Sequence, residues 1–174
     1  MKSGIASIIA SVILLSGLSG CALEPLAEPA GGDRARLRVI SQEDVVGYPN
    51  RDCIDYNAPG RGRLIGAWSI GKDLPDKKPI SMPAATSRVY AKMGEYYIEA
   101  GKPFSLTFEE KRRSRYQCQM ALTMSFIPVV NKDYEAQLVI DYSAKTCALS
   151  LKMFNESLKV WESIRFTQPE RCKK

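Results

Sequence analysis

The run Glu109-Glu110-Lys111-Arg112-Arg113-Ser114-Arg115 is the most concentrated group of charged side chains in the chain. Its cations, Lys111, Arg112, Arg113 and Arg115, could bind an anion, because guanidinium groups hydrogen-bond phosphate and carboxylate in a bidentate manner. A phosphate or a sugar carboxylate would suit such a loop. The run also links two predicted strands, so the simpler interpretation, which we favour, is a solvated hairpin tip.

Catalytic chemistry has little support in the residue types present. The chain contains no histidine, which excludes Ser-His-Asp and Cys-His catalysis and His-ligated zinc. Glycoside hydrolysis needs two carboxylates roughly 5–10 Å apart, and no spacing singles out a pair among Glu95, Glu99, Glu109, Glu135 and Asp141. No phosphate-binding glycine loop or nucleophile elbow occurs. We therefore predict a non-enzymatic protein without cofactor or metal.

The N-terminus has the layout of a secretory signal. Lys2 precedes the apolar stretch Ile5 to Leu18, and the small residues Ser19 and Gly20 follow. The ending Leu18-Ser19-Gly20-Cys21 resembles the lipobox of bacterial lipoproteins. The resemblance implies that residues 1–20 are removed and that Cys21 is acylated. A transmembrane anchor is the alternative, although a bilayer core asks for roughly 20 apolar residues. A cleaved signal with an incidental cysteine is another.

The residue after the cysteine gives an expected location. In proteobacterial lipoproteins, Asp at this position is associated with retention at the inner membrane, and here the residue is Ala22. The resemblance thus implies lipid anchoring in the outer membrane, facing the periplasm. The net charge is +6, a modest excess that does not indicate nucleic acid as a partner. The expected partners are the membrane, through the N-terminal lipid, and a periplasmic or outer-membrane protein.

Four cysteines remain once Cys21 is assigned to lipid. They are Cys53, Cys118, Cys147 and Cys172. An even number in an oxidising compartment predicts two disulfides. The wide spacing argues against a four-cysteine metal site, which needs closely spaced pairs.

The chain divides into three parts by composition. Residues 1–20 form the signal peptide, and residues 21–36 contain two prolines and a Gly-Gly pair. This second part reads as a flexible tether that would span roughly 20 Å. Residues 37–174 are predicted to form one β-rich domain. Arg51, Asp52, Arg61 and Arg63 in its early Gly/Pro-rich loop are interpreted as structural rather than ligand-binding.

Alternation of apolar and polar residues predicts strands in most of the domain. Phe104, Leu106 and Phe108 alternate with polar residues, as do the apolar residues from Cys118 to Phe126. The predicted strands are Leu37–Ile40, Leu64–Ile70, Tyr96–Glu99, Phe104–Phe108, Cys118–Phe126, Ala136–Tyr142 and Cys147–Met153. One apolar face on each strand requires a second layer, so we predict an antiparallel β-sandwich or partly closed barrel.

Two local assignments depend on turns. Asn131–Asp133 is predicted to form a hairpin turn that pairs Phe126 with Leu138, which would bring Cys118 near Cys147. This register favours the disulfides Cys118–Cys147 and Cys53–Cys172. Residues 155–164 are read either as a short helix capped by Asn155 or as an edge strand. The connection 100–103 is predicted to close another hairpin.

The mature domain is similar to small β-rich lipoproteins of the Gram-negative envelope. The likeness rests on residues 98–103 and on the pattern Phe126-Ile127-Pro128, Tyr134-Glu135 and Cys147. It implies fold more than activity. The leading hypothesis is an outer-membrane lipoprotein that presents a disulfide-braced β domain to a periplasmic protein or envelope component. The alternatives are a binding module for an anionic ligand or glycan, such as lipid A phosphate or peptidoglycan, and a carboxylate-dependent cell-wall hydrolase.

Overall fold

The computed structural model describes residues 23–69, 72–73, 79–86, 92–109, 122–141, 143–144 and 146–173. These residues contain strands and no helix. The strands are β1 (Arg34–Ser41), β2 (Asp44–Pro49), β3 (Gly62–Ile65), β4 (Ala67–Ser69), β5 (Lys72–Asp73), β6 (Lys92–Glu99), β7 (Phe104–Glu109), β8 (Leu122–Phe126), β9 (Asp133–Asp141), β10 (Thr146–Asn155) and β11 (Val160–Ser163).

Two main sheets account for most of the strands. The five-stranded sheet has the order β11-β10-β9-β1-β6, and the four-stranded sheet has the order β3-β2-β7-β8. β1 lies between β9, to which it is parallel, and β6, to which it is antiparallel. The four-stranded sheet is antiparallel throughout. Strands β4 and β5 form a separate two-stranded ribbon.

The core lies between the inner faces of these two sheets. Alternate residues of β1, β6 and β9 face alternate residues of β2, β7 and β8, as the period-2 pattern requires. The largest buried side chains include Leu37, Tyr134, Leu106, Phe108 and Met124. The predicted β-sandwich is confirmed, although its five-stranded sheet is mixed and not purely antiparallel, and neither sheet closes into a barrel.

The connection between β8 and β9 corrects the predicted hairpin. Strand β8 pairs with β7 in the four-stranded sheet, whereas β9 pairs with β1 and β10 in the other sheet. Residues 127–132 therefore cross from one sheet to the other. Residues 100–103 make the same kind of crossing between β6 and β7. Two consecutive strands alternate apolar and polar residues in the same way whether they pair within one sheet or lie in opposite sheets. The sequence pattern alone therefore could not distinguish a hairpin from a crossing between the sheets.

The C-terminal segment is a hairpin and not a helix. The Asn155 side-chain oxygen accepts hydrogen bonds from the backbone N–H groups of Ser157 and Leu158, at 3.0 and 3.1 Å. The chain then reverses, and β11 pairs with β10. Phe154 and Trp161 are cross-strand partners whose ring centroids are 5.3 Å apart. The helical interpretation of residues 155–164 was wrong, and the edge-strand alternative is the observed one.

The predicted boundary at Leu37 is too late. β1 begins at Arg34, and an earlier contact already joins the chain to the domain. The N–H of Leu26 donates to the carbonyl of Arg63 at 3.0 Å, and the Leu26 side chain is only 5% exposed. Residues 24–26 of the expected tether, 21–36, are therefore attached to the sandwich instead of spanning free solvent.

Candidate functional site

An open, mainly apolar groove lies where the chain crosses one side of the sandwich. It has a volume of about 710 Å³. The N–H of Ile164 donates to the carbonyl of Leu151 in β10, and Thr167 exchanges two backbone hydrogen bonds of 2.9 Å with Ser125 in β8. The segment 164–167 thus joins the edges of the two sheets. The groove is lined by Asp52, Pro103, Ser125, Phe126, Ile127, Ile164, Arg165, Phe166 and Thr167.

The rim of the groove combines exposed apolar and charged side chains. Ile127 is 62% exposed, and Asp52 and Arg165 supply opposite charges. Val129 and Val130 extend the exposed apolar surface beyond Ile127. The Val129 N–H donates to the hydroxyl of buried Tyr134 at 2.9 Å, so this strip is tied to the core. Contiguous apolar surface of this kind is typical of protein-interaction sites.

A buried layer of charge lies on the outer face of the five-stranded sheet. The Arg38 guanidinium lies 2.6 Å from a Glu95 carboxylate oxygen and 3.2 Å from one of Glu135. These three side chains lie on adjacent strands and are almost completely buried. Because each carboxylate contacts Arg38, the two acids flank a cation and do not face each other across a cleft. Both carboxylates are also buried, so this pair is not open to a sugar chain.

Residues 79–86, here called the covering segment, exclude water from that layer. The Ile80 N–H donates to Glu95 at 2.8 Å, and both the N–H and the hydroxyl of Thr86 donate to Glu135. The Trp161 indole N–H donates to the Ala84 carbonyl at 2.7 Å. The covering segment is therefore held largely by side chains of the sheet beneath it.

Arg36 also holds the beginning of the covering segment, where Ile80 is bonded to Glu95. It contacts both carboxylate oxygens of Asp133, at 2.5 and 2.7 Å, and donates to the carbonyls of Ile80 and Ser81. The hydrogen bond with Asp133 raises the pKa of Arg36, with burial opposing it. The guanidinium is thus a permanent charge. Its bonding pattern is that of a structural clamp, since its donors are used within the chain.

A second pair of acids meets across β2 and β7. Asp44 and Glu109 are cross-strand partners, and Arg63 forms an ion pair with Asp44. Burial raises the pKa of Glu109, and the Asp44 charge adds to this effect, while Arg63 and Arg61 oppose it. Glu109 was singled out in the sequence as a member of the charged run, and Arg61 and Arg63 as part of the early loop.

The outer face of the four-stranded sheet is covered by a disulfide-braced cap, defined as residues 51–61 and 170–173. The disulfide Cys53–Cys172 joins its two parts, as predicted. Ile54 donates to the carbonyl of Glu170 at 2.9 Å and accepts from the N–H of Cys172 at 3.1 Å. Beneath the cap lies a small apolar cluster of Val46, Tyr48, Ile54 and Ala58.

Several predicted site residues lie outside the described residues. They are Cys21, Lys111, Arg112, Arg113, Arg115 and Cys118. Cys147 is disulfide-bonded, but the pairing with Cys118 stays a prediction because Cys118 is not described. The β8–β9 register that suggested this pairing is not present. Among the tyrosines of the sandwich, Tyr96 and Tyr134 are buried in the core and Tyr97 is half-buried.

The groove itself was not predicted. Its apolar residues come from β8, from the following crossing and from the segment after β11. The apolar run Phe126-Ile127-Pro128-Val129-Val130 was the available signal, because it continues past the end of a strand into a connection. In the parts of the chain that the structure describes, no group of three or more Asp, Glu or Cys side chains is placed to hold a metal ion. The same residues contain no helix of the length and apolar character needed to cross a membrane.

Comparison of the chain with protein-family models, with curated proteins and with solved structures found no match.

Proposed function

We propose that this chain is a lipoprotein of the bacterial outer membrane that acts by binding a periplasmic protein and not by catalysis. The lipobox Leu18-Ser19-Gly20-Cys21 supports lipid anchoring, and Ala22 supports sorting to the outer membrane. The disulfide Cys53–Cys172 supports an oxidising compartment, since such bonds persist mainly outside the cytosol.

The groove is the observation that carries the binding proposal. Its volume of about 710 Å³ falls within the usual range for sites that accept a small ligand or a partner's side chains. Its lining combines the buried Phe126 and the half-buried Phe166 with the exposed charged side chains of Asp52 and Arg165. Apolar centres with polar edges are typical of protein–protein interfaces. The partner in this proposal is a protein that inserts an apolar side chain between the two rim charges.

In-cell photo-crosslinking tests this proposal. A benzophenone amino acid replaces Gln168, which is exposed and directly follows the groove residue Thr167, and the acylated protein is crosslinked in its own envelope. We expect a defined crosslinked band that Ile127→Asp removes. Leu158→Asp is the matched control, because Leu158 is also aliphatic and is 65% exposed, on the β10–β11 turn. A band that survives Ile127→Asp, or that Leu158→Asp also removes, contradicts binding at the groove.

The location has its own test. Cys21→Ser should abolish acylation and release the protein from the membrane fraction. Retention of a fully processed Cys21→Ser variant in that fraction would contradict lipid anchoring. The alternative function, binding of an anionic ligand or glycan by Lys111, Arg112, Arg113 and Arg115, concerns residues outside the described part of the chain, and no observation of the structure favours it.

A further inference from the structure

The shortness of the link between the lipid and the domain points to a membrane-facing surface. Residues 23–26 are attached to β3, since Arg63 donates its N–H to the Glu24 carbonyl at 2.8 Å and its own carbonyl accepts from Leu26 at 3.0 Å. The backbone of Leu26 lies directly on Gly62, where any Cβ atom would overlap it. This segment is therefore part of the sandwich.

The reach of the anchor follows from chain geometry. Cys21 precedes Leu23 by two residues, and an extended chain advances at most about 3.6 Å per residue. The two Cα atoms are therefore separated by no more than about 7 Å. If Cys21 carries acyl chains in the bilayer, Leu23 must lie close to the headgroups. The domain therefore cannot stand roughly 20 Å away from the bilayer, as a free 15-residue tether would allow.

Leu23 identifies which face is brought to the membrane. Its side chain packs against the apolar cluster beneath the disulfide-braced cap. The cap covers the outer face of the four-stranded sheet, and the five-stranded sheet lies on the opposite side of the core. We infer that the disulfide-braced cap lies against the membrane surface, so that the outer face of the five-stranded sheet points away from it. This inference rests on the proposed acylation of Cys21.

The chemistry of the cap suits a headgroup region. Tyr56 is half-buried, its ring is in edge contact with Tyr48, and the Arg171 guanidinium lies 5.1 Å from the ring centroid. Tyrosine rings are enriched at membrane interfaces, and a guanidinium binds phosphate through paired hydrogen bonds. Lys173 is exposed beside Arg171.

Net charge does not orient the domain. Within the described residues of this face, the cations Arg51, Arg61, Arg171 and Lys173 are balanced by Glu24, Asp52, Asp55 and Glu170. The orientation is therefore set by the short link from the lipid. It should depend little on the fraction of anionic lipid, in contrast to binding by a basic patch.

Spin-label accessibility in vesicles tests the inference. The acylated full-length chain is reconstituted in phosphatidylethanolamine–phosphatidylglycerol vesicles, with a ketone-linked spin label in place of Asn57 in the cap. The control label replaces Val139, which is 42% exposed on the outer face of the five-stranded sheet. We expect the Asn57 label to lose accessibility to a water-soluble nickel chelate on reconstitution, and the Val139 label to keep it. Equal accessibility of the two labels would overturn the inference.

Two further measurements separate the inference from the proposed function. A flexible Gly/Ser insertion between Ala22 and Leu23 should restore nickel accessibility at Asn57 without changing acylation, and persistent protection of the label would contradict an orientation set by the link. Mass spectrometry of the N-terminus reports acylation directly. An unacylated Cys21 overturns both proposals, whereas an acylated chain with equal accessibility overturns only the orientation.

Discussion

Arg38 and Glu95 form an ion pair with an N–O distance of 2.6 Å between the neighbouring strands β1 and β6, and both side chains are almost completely buried. Glu135 contacts the same guanidinium from β9. The three charges occur on strands that are distant in sequence but adjacent in the sheet. A pair of this kind stabilises a fold only while each partner remains, because desolvation of the separate ions is costly.

Removal of Arg38 should destabilise the sandwich strongly. Arg38→Met leaves Glu95 and Glu135 buried without a countercharge, and we expect a loss of about 3–5 kcal/mol in the free energy of unfolding. Urea denaturation followed by circular dichroism measures it. Arg34→Met is the control, because Arg34 is exposed and contacts the Tyr97 ring near the surface. Equal effects of the two substitutions would contradict a special role for the buried pair.

Tyr96 links the two sheets through the core and should give the protein an alkaline instability. Its hydroxyl donates to the Leu64 carbonyl, and burial raises its pKa to about 12. The folded state therefore keeps a proton that the unfolded state releases at about pH 10. The free energy of unfolding thus falls as the pH rises from the unfolded pKa to the folded pKa of Tyr96.

Tyr96→Phe tests both effects. At neutral pH the loss of the buried hydrogen bond to the Leu64 carbonyl should cost about 1–3 kcal/mol. The variant should lose less stability than the wild type between about pH 10 and pH 12, because the Tyr96 proton is no longer present. Some loss should remain, because Tyr48 and Tyr134 also have raised pKa values. Tyr97→Phe is the control. Urea midpoints measured across this range would contradict the assignment if Tyr96→Phe left the alkaline slope unchanged.

Glu109 should oppose folding once it ionises. Burial raises its pKa above 4.5, so the folded state binds the proton more tightly than the unfolded state. Stability then falls as the pH rises from the unfolded pKa through the folded one. Glu109→Gln should raise the urea midpoint at pH 7, and the gain should disappear below both pKa values.

Glu99→Gln is the matched control for this effect. Glu99 lies partly exposed at the end of β6, and its hydrogen bond with Lys102 lowers its pKa. Its removal should therefore not raise the midpoint at pH 7. An equal gain from the two Glu→Gln variants would show that general charge reduction is responsible, and not the burial of Glu109.

The disulfide Cys53–Cys172 should stabilise the whole chain and order the cap. It closes a loop with a sequence separation of 119, and bonds of this kind typically contribute about 2–4 kcal/mol. The double variant Cys53→Ser/Cys172→Ser should lose this amount in urea denaturation. The amide of Ile54, which is bonded to Glu170, should also exchange faster with deuterium. An unchanged Ile54 exchange rate would contradict the bracing role.

The strands were predictable because their pattern is local. Phe104, Leu106 and Phe108 alternate with polar residues and lie on the inner face, as the period of a strand requires. Pairing was less predictable, since the parallel contact of Leu37 with Tyr134 joins residues far apart in the chain. Asn131 has the positive φ that suits a turn, but the turn leads into the opposite sheet.

The charged layer escaped prediction for a related reason. Arg38, Glu95 and Glu135 occupy the polar positions of their strands, which an alternating pattern assigns to solvent. Their burial depends on the covering segment, whose residues show no periodicity. The Cys53–Cys172 bond was predicted as the pair left over once the register had assigned Cys118 to Cys147. The bond is present, but the β8–β9 pairing on which that register depended is not. The groove depends on where the segment 164–167 crosses between the sheets, which no local signal reports.

The position of β1 at the centre of its sheet has a consequence for biosynthesis. β1 is the first strand of the sandwich to be made, but its neighbours are β6 and β9. At typical ribosomal rates, β9 follows it by roughly 5–20 s. During that interval Leu37 and Val39, which are fully buried in the finished protein, have no sheet to cover them. The nascent chain must therefore be kept from aggregating until β9 has been synthesised, and Cys53 must wait for Cys172, which is made 119 residues later.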